Sequence, residues 1–281
     1  MSDAKQDISA FGLKPNKALG QNFLCDENAI ASIVRIAAEP GLPLIEIGPG
    51  LGALTLPLAG TGLPLAAVEL DSALSGILQE KLSPYPNASV VNADFLKTDI
   101  PALRSSLGGA GAVAVGNLPY YITSPICERL VLADPPFARM ALMMQKEAAE
   151  RFFARPGDKN YGPLTVMSRC VYDISTALEL SPAAYYPQPE VSSCVLLFTP
   201  NGAKLPALLP RLLKCAFAMR RKTLYNNLPA MGVSKLQAAE AIEKLGLPAS
   251  VRAEALDTSQ FVALAELISQ TPKQLKPTAG G

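Results

Sequence analysis

The chain has 281 residues, of which 49% are hydrophobic and 17% charged, so it can bury a large core and is not intrinsically disordered. It contains no histidine, which excludes Ser-His-Asp and Cys-His catalysis and every metal site that needs an imidazole ligand. The formal net charge of +1 hides an uneven distribution. Residues 1–200 hold 14 Lys/Arg against 19 Asp/Glu, whereas residues 201–281 hold 11 against 5, so a basic C-terminal piece follows a mildly acidic body.

The cysteines and the first residues indicate the compartment. Five cysteines are far apart and form no CxxC pair, which predicts reduced thiols and no disulfide framework. The first ten residues lack the apolar core of a signal peptide. We therefore expect a cytoplasmic, monomeric protein with no membrane contact and no metal.

From about residue 43, short apolar runs of strand length alternate with longer amphipathic segments. The expected strands cover residues 43–48, 65–70, 89–94, 112–116, 140–144, 176–180 and 191–198. Helices are predicted between several of them, over residues 72–81, 125–133 and 146–154. This alternation predicts an α/β fold with a doubly wound, mostly parallel, Rossmann-like sheet of seven strands.

Beyond about residue 200 the pattern is helical. Leucine, alanine and phenylalanine side chains at helical spacing predict one helix over residues 208–222, and further helices are predicted over 237–245 and 258–269. The sequence therefore predicts two domains. A catalytic, cofactor-binding domain covers residues 1–200, including an N-terminal segment over 1–40, and an all-helical basic domain covers residues 201–281.

A glycine-rich turn, Glu46-Ile-Gly-Pro-Gly-Leu-Gly52, follows the first predicted strand. Gly48 and Gly50 let the backbone turn tightly and approach a ligand closely. Glu69, Asp94 and Asn117 end the next three strands, and a carboxylate at the position of Glu69 can accept both hydroxyls of a ribose. Because ligands of such sheets bind at the carboxyl ends of the strands, these positions predict a nucleotide site.

Two cofactors fit this pattern. Gly48-x-Gly50-x-x-Ala53 satisfies the relaxed dinucleotide motif, so an NAD-dependent oxidoreductase is one alternative. Glu46 would however repel a pyrophosphate and favour a cationic ligand. S-adenosylmethionine, which carries an adenosine, a sulfonium and an amino group, fits these residues better.

The segment Gly116-Asn-Leu-Pro-Tyr-Tyr121 predicts the chemistry. The amino group of an adenine is a poor nucleophile, and acceptors placed on its N–H groups favour the geometry of attack. The side-chain oxygen of Asn117 and the carbonyl of Leu118 can supply two acceptors. Pro119 biases Leu118 toward an extended conformation, and Tyr120 offers a ring face for the base. No strong general base is needed, which agrees with the absence of histidine.

Together these motifs resemble those of ribosomal RNA adenine dimethyltransferases of the KsgA type, from about residue 14 to residue 261. The resemblance rests on Ala18-Leu-Gly-Gln-Asn-Phe-Leu24, the glycine-rich turn, Gly116-Asn-Leu-Pro-Tyr-Tyr-Ile-Thr123, Met143-Met-Gln-Lys-Glu147, Tyr186-Pro-Gln-Pro-Glu-Val-Ser-Ser193 and Arg220-Arg-Lys-Thr-Leu224. It implies S-adenosylmethionine as methyl donor. It also implies N6,N6-dimethylation of two adjacent adenines in a hairpin near the 3′ end of 16S rRNA in the 30S particle or its precursor.

The resemblance also implies roles for single residues. Around the cofactor it places Gln21, Asn22, Leu24, Gly48, Gly50, Glu69, Asp94 and Asn117. In catalysis it implies Asn117 with Leu118, Pro119 and Tyr120, and Tyr185 as the aromatic that stacks on the base opposite Tyr120. Because Tyr186 follows directly, the choice between the two neighbouring tyrosines stays open.

The basic piece predicts contact with RNA phosphates. On a helix over residues 208–222, Arg211, Lys214, Arg221 and Lys222 would share about 100° of arc. Arg220, which precedes Arg221 in the sequence, is also predicted to bind RNA. No acid occurs between Val191 and Ala239.

Two further alternatives remain open beside the oxidoreductase. Antibiotic-resistance methyltransferases of large-subunit rRNA share the site motifs, although the Met143 and Arg220 segments favour the small-subunit enzyme. A ribosome-assembly factor without catalysis is the other alternative.

Overall fold

The computed structural model describes residues 22–109 and 111–270, and it divides the chain into two compact units. The first unit comprises the residues through Glu150 together with Tyr172–Gly202, and the second comprises Arg151–Val171 together with the residues from Ala203 onward. This division differs from the predicted one in a single segment, because residues 151–171 belong with the C-terminal helices. The Tyr161 hydroxyl, for example, donates a hydrogen bond of 2.7 Å to the Leu256 carbonyl.

A seven-stranded sheet in the order β4-β3-β2-β5-β6-β9-β7 forms the centre of the first unit. Its strands are β2 (Leu44–Ile47), β3 (Leu65–Glu69), β4 (Ala88–Asn92), β5 (Val113–Asn117), β6 (Arg139–Gln145), β7 (Tyr172–Leu180) and β9 (Ser193–Pro200). Strands β2 to β6 pair in parallel, and β9 lies antiparallel between β6 and β7. The predicted α/β fold with a mostly parallel seven-stranded sheet is therefore confirmed.

Helices precede, connect and follow the parallel strands of the sheet. They are α1 (Glu27–Ala38), α2 (Thr55–Ala59), α3 (Ser72–Lys81), α4 (Ile100–Ser106), α5 (Thr123–Val131) and α6 (Lys146–Phe153). Asp26, Asp71 and Asp99 each precede a helix and accept hydrogen bonds from amide groups of its first turn. These caps explain why the three helices begin directly after Asp26, Asp71 and Asp99, because each carboxylate accepts hydrogen bonds from amide groups that lack partners within the helix.

The strand order reverses between β2 and β5, which lie side by side at the middle of the sheet. Open α/β sheets bind their ligands outside the carboxyl ends of the strands at such a point. The close approach of β5 to β2 requires Gly116, because a Cβ atom there would lie 2.3 Å from the carbonyl oxygen of Ile47. A short ladder of β1 (Phe23–Leu24) and β8 (Tyr185–Tyr186) is separate from the main sheet.

The second unit is helical. Its helices are α7 (Pro163–Val171), α8 (Leu209–Ala216), α9 (Leu224–Asn227), α10 (Lys235–Lys244) and α11 (Thr258–Gln270). The prediction of one helix over residues 208–222 is wrong, since α8 ends at Ala216. The buried side chain of Asn227 donates to the carbonyls of Ala216 at 2.7 Å and Met219 at 3.1 Å, which a continuous helix would pair internally. Within the described ranges no helix has the length and hydropathy needed to cross a membrane.

Two glycine substitutions test the packing of the sheet. Gly116→Ala would place a Cβ atom against the backbone carbonyl of Ile47. We expect this clash to lower the free energy of unfolding by more than about 2 kcal/mol. Gly76→Ala, on helix α3 with open space around the new Cβ, should leave stability unchanged or raise it by up to about 1 kcal/mol. Urea unfolding of both variants measures the difference, and equal stabilities would contradict the argument.

Candidate active site

A cavity of about 410 Å³ lies in the first unit at the carboxyl ends of the central strands. Its volume is that of a small-molecule site. Most of the residues predicted for the cofactor and for catalysis line it, namely Asn22, Leu24, Gly48, Gly50, Glu69, Asp94, Asn117, Leu118 and Pro119. Gln21, also predicted for the cofactor, lies outside the described residues.

The glycine-rich turn forms one wall of the cavity. Gly48 and Gly50 have φ angles of +66° and +57°, a left-handed conformation that side chains with a Cβ atom rarely adopt. The turn begins directly after β2, where the Gly48 amide donates to the Val68 carbonyl at 3.0 Å. The backbone of the turn is thereby fixed against β3 and lies open toward the cavity.

Glu69 joins the end of β3 to this turn. One of its carboxylate oxygens accepts the amide hydrogen of Gly50 at 3.0 Å and the other accepts that of Asp71 at 2.9 Å. Burial raises the pKa of Glu69, and hydrogen bonds from the backbone amides of Asp71, Gly50 and Leu70 lower it. These donors fix the carboxylate at the cavity wall.

Asp94 lies beyond the end of β4, on the cavity wall. Its carboxylate accepts the Leu96 amide at 2.9 Å and forms an ion pair with Lys97 at 3.7 Å. These contacts fix the loop that carries Phe95, which also lines the cavity. Leu70, directly after Glu69, adds an exposed apolar surface on the same wall.

Asn117 ends β5, and its amide group has one orientation. The side-chain Nδ2 donates to the carbonyl oxygen of Asn22 at 3.0 Å, which leaves the Oδ1 atom as an acceptor. The Leu118 amide donates to the Met143 carbonyl at 2.9 Å, and the Thr123 hydroxyl donates to the Pro119 carbonyl at 2.9 Å. The loop that was predicted to carry the chemistry is therefore held at three successive residues.

Neither of the two predicted stacking tyrosines, Tyr120 and Tyr185, lines the cavity. Tyr185 is only 4% exposed, because β8 pairs with β1 and buries its ring in the core. The hydroxyls of Tyr120 and Tyr185 lie beside the Ser193 hydroxyl, and burial raises the pKa of both phenols. Tyr121, which the sequence analysis did not single out, lines the cavity with 51% of its surface exposed. Its place in the Asn117 motif was the signal that could have indicated it.

Glu46 is the most deeply buried acid of the site. It lies on β2, lines the cavity and is 1% exposed. Its Oε2 atom has no hydrogen-bond partner among the described residues. Burial raises the pKa of Glu46 to about 8, the Thr55 hydroxyl lowers it, and the neighbouring Glu69 raises it further.

The predicted RNA-binding residues fall into two groups in the second unit. Arg211 donates to the Met231 carbonyl at 3.0 Å, and Arg220 donates to the Lys159 carbonyl at 3.0 Å and pairs with Glu254 at 3.5 Å. Lys214, Arg221 and Lys222 are exposed. The predicted helical face shared by Lys214, Arg221 and Lys222 is wrong. Because α8 ends at Ala216, Arg221 and Lys222 lie in the turn that follows the helix.

The fold and the site define a class of protein. A seven-stranded sheet with β9 antiparallel between β6 and β7, a glycine-rich turn and acids at the strand ends are typical of Rossmann-like methyltransferases. Comparison with known proteins then gives the family. Residues 12–270 match the family described as ribosomal RNA adenine dimethylase, and the chain belongs to this family.

Individual relatives agree with this membership. The chain is 39% identical to ribosomal RNA small subunit methyltransferase A of Lachnoclostridium phytofermentans, over 97% of this chain and 99% of the relative. It is 36% identical to the protein of that name from Geobacillus thermodenitrificans, over 94% of each.

Among solved structures, the fold is similar to a dimethyladenosine transferase of Plasmodium falciparum, with a TM-score of 0.68, 24% identity and coverage of 86% of this chain and 95% of that one. It is also similar to the 23S rRNA methyltransferase ErmE, with a TM-score of 0.63, 28% identity and coverage of 89% and 100%.

The raised pKa of Glu46 predicts a pH dependence of stability. Between the ordinary pKa of 4.5 and about 8, the carboxyl group is ionised in the unfolded chain but still protonated in the folded one. The unfolded state then binds fewer protons, so Glu46 makes stability fall as pH rises through this window, by up to about 1 kcal/mol per pH unit. We expect Glu46→Gln to show a smaller fall between pH 5.5 and 8.5 than the wild type, measured by urea unfolding.

Glu80→Gln, at an exposed position of α3, is the matched control and should keep the fall seen in the wild type. The same pH profile for wild type and Glu46→Gln would contradict the assignment of the buried proton to Glu46.

Proposed function

We propose that this chain binds S-adenosylmethionine in the cavity and dimethylates N6 of two adjacent adenines in a hairpin near the 3′ end of 16S rRNA, in the 30S particle or its precursor. Its family makes the chain a ribosomal RNA adenine dimethyltransferase. The observation that carries the proposed mechanism is the oriented amide of Asn117. One N–H of the Asn117 amide donates to the Asn22 carbonyl, and this bond orients the side chain so that its Oδ1 atom is the acceptor for the amino group of the substrate.

The residues around the cavity fit S-adenosylmethionine. Glu69 would hold the ribose, Asp94 the adenine, and the turn at Gly48 and Gly50 the methionine portion. The fit rests on the Glu69 carboxylate, which backbone amides hold at the cavity wall, and on the Glu46 oxygen that has no partner among the described residues, since no phosphate has to be accommodated beside these acids. When bound, this cofactor supplies a methyl group on a positively charged sulfur.

Hydrogen-bond acceptors of the protein would orient the amino group of the substrate for methyl transfer. Oδ1 of Asn117 and the carbonyl of Leu118 would each accept an N–H of the adenine amino group, which turns its lone pair toward the methyl group. As the amino group takes up the methyl group, positive charge would develop on its nitrogen, and these two acceptors would stabilise that charge. One N–H proton of the methylated nitrogen, which is acidic, would then leave to water.

An aromatic ring at the cavity would hold the target base. We propose Tyr121 for this contact in addition to Tyr120, since Tyr121 combines a place on the cavity wall with an exposed ring. Stacking by Tyr185 stays a prediction, and it would require the buried ring to leave its place between β1 and the core.

The small ribosomal subunit is the favoured substrate. Relatives named for the small-subunit reaction match at 36–39% identity over nearly the whole chain, whereas ErmE is 28% identical. The oxidoreductase and the assembly factor without catalysis are not favoured, because residues 12–270 match a dimethylase family. Such a substrate also implies the cytoplasm as the site of action.

We further propose that Lys214, Arg221 and Lys222 contact rRNA phosphates. They are exposed, and their side chains make no hydrogen bond or ion pair within the part of the chain that the structure describes. Arg211 and Arg220 contribute instead to the internal hydrogen bonding of the second unit.

Asn117→Ala tests the catalytic role. With unmethylated 30S particles and labelled S-adenosylmethionine, we expect the wild type to label two adjacent adenines and the variant to lose at least about 100-fold in kcat. RNA affinity should stay near that of the wild type. Asn28→Ala, at an exposed position of α1, should keep full activity, and turnover by Asn117→Ala near the wild-type rate would refute the mechanism.

The double variant Arg221→Ala/Lys222→Ala tests the phosphate contacts. Each lost contact should reduce the slope of log Kd against log salt concentration by about one, as measured by RNA binding between 50 and 200 mM salt. Lys235→Ala/Lys244→Ala removes the same charge from exposed positions of α10 and should change the slope less. An unchanged slope in the first double variant would mean that these side chains are merely solvated.

A further inference from the structure

The charged side chains on the cavity wall all have one sign. Four acids line the cavity, namely Glu46, Glu69, Asp71 and Asp94, and no described lining residue is a lysine or an arginine. The nearby Lys97 side chain pairs with Asp94, and the Lys81 ammonium donates to the Leu51 carbonyl at 3.1 Å. The cavity therefore favours a ligand that carries positive charge.

Three of the four acids already have partners. Glu69 accepts two backbone amides, and Asp71 caps helix α3 by accepting the amides of Ala73 and Leu74. Asp94 accepts the Leu96 amide and pairs with Lys97. Only Glu46 has a buried carboxyl oxygen without a partner among the described residues. Glu46 is thus the acid whose carboxyl group is left for a ligand to contact.

The surroundings of Glu46 keep it uncharged in the free protein. Ala67 of β3 and Val115 of β5 flank it in the sheet, Thr55 of α2 presents a hydroxyl, and Glu69 is the acid that acts on it electrostatically. An isolated carboxylate at 1% exposure would lose most of its hydration. The carboxyl group therefore keeps its proton at neutral pH, in agreement with its pKa of about 8.

We propose that Glu46 is the counter-charge for the cationic methionine portion of the methyl donor, and that its carboxyl proton passes to solvent when the donor binds. The inference rests on the proposed binding of S-adenosylmethionine in this cavity. The O–H bond of the carboxyl group breaks, the proton is taken up by the buffer, and the carboxylate pairs with the positive charge of the ligand. Donor affinity then rises with pH, by up to about tenfold per unit below pH 8.

Isothermal titration calorimetry of the full chain in buffers of different ionisation enthalpy counts these protons. Near pH 7 we expect the wild type to release about one more proton per S-adenosylmethionine bound than Glu46→Gln does. Because the donor's own amino group titrates identically with both proteins, the difference belongs to Glu46. Glu46→Gln should also bind about tenfold more weakly at pH 8.5, whereas the control Glu80→Gln should match the wild type in both respects.

Two further ligands identify the positive charge. S-adenosylhomocysteine carries the ammonium without the sulfonium, and 5′-methylthioadenosine carries neither. Release of the proton with S-adenosylhomocysteine assigns the pairing to the ammonium, and release with S-adenosylmethionine alone assigns it to the sulfonium. Either result supports the proposal, provided that 5′-methylthioadenosine binds without proton release.

Equal proton release by wild type and Glu46→Gln would overturn the proposal, as would proton release on binding of 5′-methylthioadenosine. If Glu46→Gln does not fold, the comparison of the three ligands on the wild type decides by itself. Failure of the folded wild type to bind S-adenosylmethionine at all would instead refute the proposed function. The two failures are therefore distinguishable.

Discussion

The close approach of Gly116 to the carbonyl of Ile47 is the constraint on which the site depends. It allows β5 to lie directly beside β2, at the point where the strand order of the sheet reverses. The glycine-rich turn after β2 and the Asn117 loop after β5 both line one cavity there. A side chain at position 116 would push these two strands apart, and with them the turn and the loop.

Within that frame, the polar groups act mainly as acceptors whose orientation is fixed by other contacts. Backbone amides hold the Glu69 carboxylate, and the Asn22 carbonyl holds the amide of Asn117. Methyl transfer from a cation to a neutral amine needs acceptors and a base-binding ring, and it needs no proton acceptor of high basicity. A chain without histidine is therefore fully equipped for this reaction. Glu46 is the exception, because it is an acceptor whose strength depends on the occupancy of the cavity.

Much of this could be read from the sequence, and the failures have local causes. Apolar runs of strand length and the glycine-rich turn predicted the sheet and the position of the site, because both patterns depend on near neighbours in the chain. The end of α8 at Ala216 depends on Asn227, a residue eleven positions later, and no periodicity reports such a hydrogen bond. The burial of Tyr185 likewise depends on a two-residue pairing with β1. The place of Tyr121 at the cavity could not be read from the sequence, because two adjacent tyrosines do not indicate which ring faces a cavity.

The second unit is assembled from two separate stretches of chain, Arg151–Val171 and the residues from Ala203 onward. Strands β7 and β9 of the sheet lie between these stretches in sequence. A single recombination event near residue 200 between the genes of two family members would therefore combine one stretch of this helical unit from one protein with the other stretch from the second protein. Exchange of the whole unit requires both stretches to be inherited together. We therefore expect recombination within the family to disrupt the packing of this unit more often than single substitutions do.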